Sequence, residues 1–250
     1  MSDQIFRSAK RRIFVSPPLD DGVRRWTLDE ANAHYLTRVL RLKAGTEVDL
    51  ADGSGRLYRG QLTQDGSEWA LDALRVIHQE PAEPERILAA ALIKPDRWEW
   101  MLEKAAEIGA TKILPITADR SVVTIPANKL AHRLERWERI LEGAARQCER
   151  LSQVTIAAPT SLASALEETQ HTTQLMLDED VPKRAWPAIS NEQAITLFIG
   201  PEGGWSDDER QLLHTTALPC GLGRNLLRAE TAAVAALTIV RAYDAGIVMK

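Results

Sequence analysis

Two late stretches of the chain carry the residue types that could do chemistry. The first, FIGPEGGWSDDER, spans Phe198 to Arg210, and the second, CGLGRNLLRAETAAVAAL, runs from Cys220 to Leu237. In each, glycines sit beyond a short apolar run and before a helical pattern, a place where backbone can approach a ligand closely. Glycine-rich turns of this kind often hold phosphates. These two lack the GK[ST] of a phosphate loop, and Gly221 and Gly223 lack the third glycine of a dinucleotide fingerprint. Ser206 to Glu209 fits a capping box, so a helix starts directly after the first loop. Asp207 and Asp208 then occupy the positions where an anion would lie. A neutral or cationic ligand, read by main-chain groups, suits both stretches better than a nucleotide phosphate.

The elements that must hold these loops follow from periodicity. From Ile87 onward, short apolar runs (ILAAALI, TKILPIT, VTIAAP, QLMLDED, AITLFIG) alternate with helical patterns. Helices are predicted over DRWEWMLEKAAEI with Gly109 as a stop, over residues 127–150, near 161–169, near 207–216 and from about 229 to 245. The 127–150 stripe includes Leu130, Leu134, Trp137, Leu141, Ala144 and Cys148. Strand-helix alternation implies βα units and a mostly parallel sheet. Residues 13–76 read instead as strands, with a hairpin around Asp52-Gly53-Ser54-Gly55 and a helical pattern in LDEANAHYLTRVLRL. HQEPAEPER is the candidate linker. The expected domains are therefore 1–78, small and β-rich, and 79–250, α/β.

The chain has 250 residues, 44% hydrophobic and 26% charged, the proportions of an ordinary globular protein. No apolar run reaches membrane-spanning length, and MSDQIFRSAKRRIF has no apolar leader core, so no membrane association and a cytoplasmic location are expected. Cys148 and Cys220 form no CxxC pair and are expected as buried free thiols. With five scattered histidines they give no metal spacing, so no metal is expected. A net charge of −4 argues against indiscriminate nucleic-acid binding. Residues 1–78 nevertheless hold 12 Lys/Arg against 11 Asp/Glu, and 79–250 hold 19 against 24. The early cluster Arg7, Lys10, Arg11 and Arg12 reads, on composition alone, as a solvated basic arm.

IGPEGGWSDDE followed some twenty residues later by LGRNLLRAETA resembles the RsmE family of ribosomal RNA methyltransferases, in the SPOUT superfamily. RRIFV, HYLTRVLRLKAGTEVDLADGSG, KPDRWEWMLEKAAEIGATKILPI, DRSVV and RWERILEGAARQCER resemble the same family in the same order, so the likeness covers essentially the whole chain. Ala229 stands where the pattern has threonine, and Trp205 where it has phenylalanine. The resemblance implies an α/β trefoil-knot domain with a mostly parallel sheet, preceded by a small PUA-like β-barrel that binds RNA. It implies a homodimer and methyl transfer from S-adenosylmethionine to N3 of a uridine in 16S rRNA of the small ribosomal subunit. A SPOUT enzyme acting on another rRNA or tRNA position, or an RNA-binding module with an inactive pocket, is the alternative.

By the same resemblance, main chain from three segments binds the cofactor. They contribute Leu177; Ile199, Gly200, Pro201, Glu202, Gly203 and Gly204; and Leu222, Gly223, Asn225, Leu226 and Leu227. Arg228 lies beside the methyl group and is expected to stabilise a uracil anion. Glu230 either takes the N3 proton or holds Arg228. Arg7, Lys10, Arg11, Arg12, Arg38 and Arg41 are the candidates to grip RNA backbone. The Ala-rich last helix and the 127–150 helix are the candidate dimer surfaces.

Overall fold

The structure, a computed structural model, describes residues 11–16, 18–178, 186–190, 192–244 and 246. The chain forms two compact units. One is built on the N-terminal chain up to Ala82 together with Ala145–Gln153; the other comprises Glu83–Ala144 and the chain from Val154.

The first unit contains β1 (Arg12–Phe14), β2 (Arg25–Thr27), α1 (Glu30–His34), a π-helical turn over Tyr35–Val39, β3 (Glu47–Ala51), β4 (Arg56–Asp65) and β5 (Glu68–Gln79). The sheet runs β1-β3-β4-β5-β2, antiparallel except for the β1/β3 pair. Alternating residues of these strands bury Ile13, Val48, Leu50, Tyr58, Leu62 and Leu71 in one core. Register shifts in the β4/β5 pair bend the sheet, and at Gly60 a Cβ would lie 2.9 Å from Leu74 Cδ2. The hairpin between β3 and β4 is organised by Asp52, whose Oδ1 accepts from Ser54 N (3.0 Å) and whose Oδ2 accepts from Leu19 N (3.2 Å). Residues 145–153 join this unit from far along the chain. Leu151 packs with Ala51 and Leu57, and Gln153 N donates to Gly53 O at 2.8 Å.

The second unit contains β6 (Arg86–Ala91), α2 (Pro95–Ile108), β7 (Lys112–Thr117), α3 (Ala127–Gln147, its last residues belonging to the first unit), β8 (Thr155–Ile156), β9 (Thr160–Ser161), α4 (Leu162–Glu168), β10 (Thr173–Leu177), β11 (Ile195–Ile199), α5 (Asp207–Leu213), β12 (Leu218–Cys220) and α6 (Ala229–Asp244). Its sheet runs β12-β10-β11-β6-β7-β8, with β9 also on β7, and every pair is parallel. β6 and β11 are buried at every position, as strands covered on both faces must be. Leu88 and Ala90 face the cluster that includes α2, α3 and α6; Ile87, Ala89 and Ala91 face the one that includes α4 and α5.

Pro95 pre-sets the first turn of α2, and Gly109 ends it in the left-handed region at φ 116°. Two of the alanines of α6, Ala233 and Ala236, are buried where α6 packs on α2 and on the sheet. At its far end a paired Arg86–Asp244 contact, Nε to Oδ2 at 3.1 Å, ties α6 to the start of β6.

Three expectations are corrected. α3 ends at Gln147, because Glu149 turns into the left-handed region (φ 60°) and Arg150 N closes onto Ala145 O at 3.0 Å. Cys148 is consequently exposed rather than part of the core stripe. The helix after the first glycine loop ends at Leu213, leaving room for β12, which no apolar run had signalled. Among the described residues no helix is long and apolar enough to cross a membrane.

Candidate functional site

β12, β10 and β11 are neighbours and parallel, so their last residues, Cys220, Leu177 and Ile199, end at one edge of the sheet. In open α/β sheets the crevice beyond the carboxyl ends of strands is where ligands bind. Here it is a cleft of about 650 Å³, lined by those three residues, the loops after β11 and β12, Asp178, Arg97 from α2, and Ala229 and Ala232 from α6. That volume is in the range of small-molecule and cofactor sites.

The loop after β11 is held from behind. Gly204 N donates to Pro201 O at 2.9 Å, and Gly204 itself needs φ 69° to make the turn. Trp205, 1% exposed, fills the core beneath. A Cβ at Gly200 would sit 3.3 Å from the Trp205 indole. Gly203 lines the cleft, and its Cβ position faces Arg120, 3.2 Å from Arg120 Cβ, while Arg120 Nη1 donates to Gly203 O at 3.2 Å.

The capping box of α5 is present, and it reaches further than its own helix. Glu209 accepts from Ser206 N and from Asp119 N, both at 2.9 Å, while Ser206 Oγ donates to Asp119 Oδ2 at 2.7 Å. The 118–121 segment and the glycine loop are thereby fastened to one buried carboxyl group.

The loop after β12 is fixed by Trp186 Nε1, which donates to Gly221 O at 2.9 Å. At Gly223, φ is 107° and a Cβ would meet nothing within 4 Å, so this part of the wall is bare backbone. Leu226 is 83% exposed. Arg228 takes the N-cap position of α6, its carbonyl accepting from Ala232 N at 2.8 Å, so the positive end of a 16-residue helix faces the cleft.

The charges are arranged in layers. Arg228 is exposed at the rim. Glu230 is buried in the first turn of α6, and its ion-pair partner is Arg97, Nε to Oε1 at 3.7 Å, rather than Arg228. Arg97 also reaches Glu202 Oε1, at 4.0 Å from Nη1. Glu230 Oε2 is buried without a hydrogen-bond partner among the described residues. Asp178, buried beside the cleft, is paired with Arg210. Burial pushes the Cys220 thiol up to about 12, so it stands at the end of β12 as a neutral group.

All twelve residues expected around the cofactor line this one cleft, together with Arg228. Glu230 lies buried beside it. The sequence reasoning missed Arg97, Asp178, Trp205, Cys220, Arg224, Ala229 and Ala232. Asp178 and Arg224 were legible as neighbours of named residues. Arg97 carried no signal, because only the packing of α2 beside α6 brings it here. Of the RNA candidates, Arg7 and Lys10 lie outside the described residues. Arg11, Arg38 and Arg41 are exposed, and Arg41 ends the π-helical turn at φ 54°. Arg12 is corrected: it is 7% exposed, and its Nη1 donates to Glu149 O at 3.4 Å, which makes it an internal tie rather than a surface contact. No group of three or more His, Cys, Asp or Glu among the described residues is placed to hold a metal ion.

A parallel α/β unit with two glycine-bordered loops over its carboxyl edge, joined to a small β unit, is the architecture of a two-domain RNA methyltransferase. An RNA methyltransferase domain family matches residues 80–241, and an RNA methyltransferase PUA domain family matches residues 28–68. The ribosomal RNA small subunit methyltransferase E of a Synechocystis species is 35% identical over 225 residues, 86% of this chain and 72% of that protein. That of Rickettsia conorii is 29% identical over 92% of this chain and 94% of its own length. A Legionella pneumophila protein solved with bound S-adenosylmethionine superposes with a TM-score of 0.78 at 29% identity, covering 92% of this chain and 96% of that one. The Neisseria gonorrhoeae methyltransferase E, bound to S-adenosylmethionine, gives 0.76 at 25% identity over 92% and 96%. The chain belongs to the ribosomal RNA small subunit methyltransferase E family.

Proposed function

We propose that this protein methylates N3 of a uridine in 16S rRNA of the small ribosomal subunit, using S-adenosylmethionine, as a cytoplasmic homodimer. The observation that carries the reading is the cleft beyond β10, β11 and β12, with Arg228 at its rim and the buried Glu230 beside it. The cleft fits the cofactor's chemistry. Leu177, Ile199 and Leu222 offer apolar walls for a flat ring, and the bare backbone at Gly223 leaves room close to the main chain. The Glu202 carboxylate on the wall disfavours a phosphate and is compatible with a positively charged sulfonium. When bound, S-adenosylmethionine supplies a methyl group already activated on a sulfonium.

The protein must then deal with the uridine. N3 carries a proton, and its lone pair is conjugated into the ring, so it is a nucleophile only as that proton leaves. In this reading the Glu230 carboxyl takes the proton. The Arg228 guanidinium stabilises the negative charge that spreads onto a uracil carbonyl. As the N3–C bond forms, the S–C bond breaks, and S-adenosylhomocysteine leaves with the electron pair on sulfur. The proton passes from Glu230 to water. Holding base and methyl in line supplies much of the remaining acceleration. The exposed Arg11, Arg38 and Arg41 are assigned to RNA phosphates, and residues 1–78 and 79–250 to RNA binding and to chemistry. Because the buried alanines of α6 are occupied by α2 and the sheet, the dimer contact falls to other faces of α6 and to α3.

The test is transfer of labelled methyl from the cofactor to purified small subunits, with the product nucleoside identified by mass spectrometry. N3-methyluridine in 16S rRNA is the expected product. Label on a ribose 2′-oxygen or on transfer RNA, or no transfer despite cofactor binding, rejects the reading. Sedimentation at assay concentration tests the dimer, and a fully active monomer rejects it.

A further inference from the structure

We infer that Arg97 and Glu230 together read the imide edge of the target uracil, Arg97 donating to a ring carbonyl while Glu230 accepts the N3 proton. This rests on the uridine-N3 reading of the cleft. It adds a substrate-contacting residue on α2, an element that contributes none of the expected site residues.

The argument starts from hydrogen-bonding capacity left unspent. A guanidinium has five N–H donors. Among the described residues that of Arg97 makes ion pairs at 3.7 Å to Glu230 and 4.0 Å to Glu202, both beyond hydrogen-bond length. Its side chain is 33% exposed and lines the cleft. Glu230 is 7% exposed, and its Oε2 has no hydrogen-bond partner among the described residues. A buried acceptor without a donor is costly unless a ligand supplies one. Spare donors therefore stand next to a spare acceptor on one wall.

That pairing selects among ligands. A phosphate would be drawn to Arg97 but repelled by Glu202 and Glu230. A cationic group would be drawn to the carboxyls but repelled by Arg97. A neutral ring that presents a carbonyl beside an N–H satisfies both, and the uracil imide is such an edge. Cytosine is disfavoured, because its N3 has a lone pair where the carboxyl needs a proton. Arg228, at the rim, remains available to the other carbonyl. Arg97 also keeps Glu230 oriented between substrates, which Arg228 does not do.

The experiment measures single-turnover methyl transfer to small ribosomal subunits and, separately, S-adenosylmethionine affinity by calorimetry. The variants are Arg97→Gln, Arg97→Ala, Arg97→Lys, Glu230→Gln and the double Arg97→Gln/Glu230→Gln. Arg97→Gln should lose about 100-fold in rate, the usual scale for removing one positioned donor. Arg97→Lys, the control against misfolding, should recover part of that loss. Cofactor affinity should stay within roughly threefold for each. Because both residues serve one edge, the double variant should be no more than about threefold slower than the slower single. For Arg97→Ala, guanidinium ion added to the solution should restore rate saturably. Cofactor affinity that falls in step with rate assigns the pair to the cofactor and overturns the inference. So do fully multiplicative losses, or an Arg97→Gln variant as fast as the parent. A parent enzyme that transfers no methyl to the subunits refutes the uridine-N3 reading itself, and this inference with it.

Discussion

Glu209 is one of the few carboxyl groups buried in the second unit, at 8% exposure, and its two oxygens hold two different segments. Oε1 takes the Asp119 N–H and Oε2 the Ser206 N–H, each at 2.9 Å. A hydrogen bond to a charged acceptor contributes about 1.5–3 kcal/mol. Both sites are only part-buried, so the low end applies, and Glu209→Ala should cost about 3 kcal/mol. In a unit of this size that lowers the melting temperature by about 6–12 °C. Glu209→Gln is the sharper probe. Its amide oxygen can still accept from one N–H, but its NH₂ must then face the other, so it should cost about half as much. Thermal unfolding followed by circular dichroism reads both. Cofactor affinity should fall in the same order, because the glycine loop between Pro201 and Ser206 is what Glu209 anchors. If the two variants are equally destabilising, or if alanine costs less than about 1 kcal/mol, the anchoring argument is wrong.

Arg228→Ala should keep cofactor affinity and lose most of the turnover, with Arg228→Lys recovering little because a point charge does not reproduce the planar fork; single-turnover rates at saturating RNA and cofactor decide it. Replacing Arg11, Arg38 and Arg41 by alanine should lower the salt slope of RNA affinity by about 2–3 while cofactor binding stays constant, and an unchanged slope would return these residues to the solvated surface. In the folded protein one equivalent of maleimide should react at pH 8, at the exposed Cys148, with a second reacting only after denaturation, because burial holds the Cys220 thiol neutral up to about 12. For the same reason Cys220 contributes stability that is fully present below the ordinary thiol pKa of about 8.5 and is lost as pH rises towards about 12, which urea midpoints between those values would follow.

What the sequence determined by itself is what local grammar encodes. Runs such as ILAAALI and AITLFIG are of the length of buried strands, and β6 and β11 are buried at every position. Ser206 with Glu209 marks the start of α5, and Gly109 marks the end of α2. The two glycine loops announce bare backbone beyond strand ends, and their residues line one cleft. Each of these signals acts over a few residues and depends on side-chain period, φ preference or a local cap.

The tertiary structure decided what depends on residues far apart in the chain. β12 has too few residues to show a period, and only its place beside β10 makes it a strand. Arg12 looks like the surface cations next to it, yet the carbonyl of Glu149, 137 positions away, makes it internal. Gly203 lines the cleft through its main chain, but what its missing side chain would meet is Arg120, 83 positions away. Arg97 is one more charge on an amphipathic helix until α6 packs on α2 and sets it between Glu202 and Glu230. Propensity and pattern set which face of an element is apolar. Which polar group meets which, and so what the cleft can hold, is set by strand order and helix packing, because desolvation and hydrogen bonding act between neighbours in space rather than in sequence.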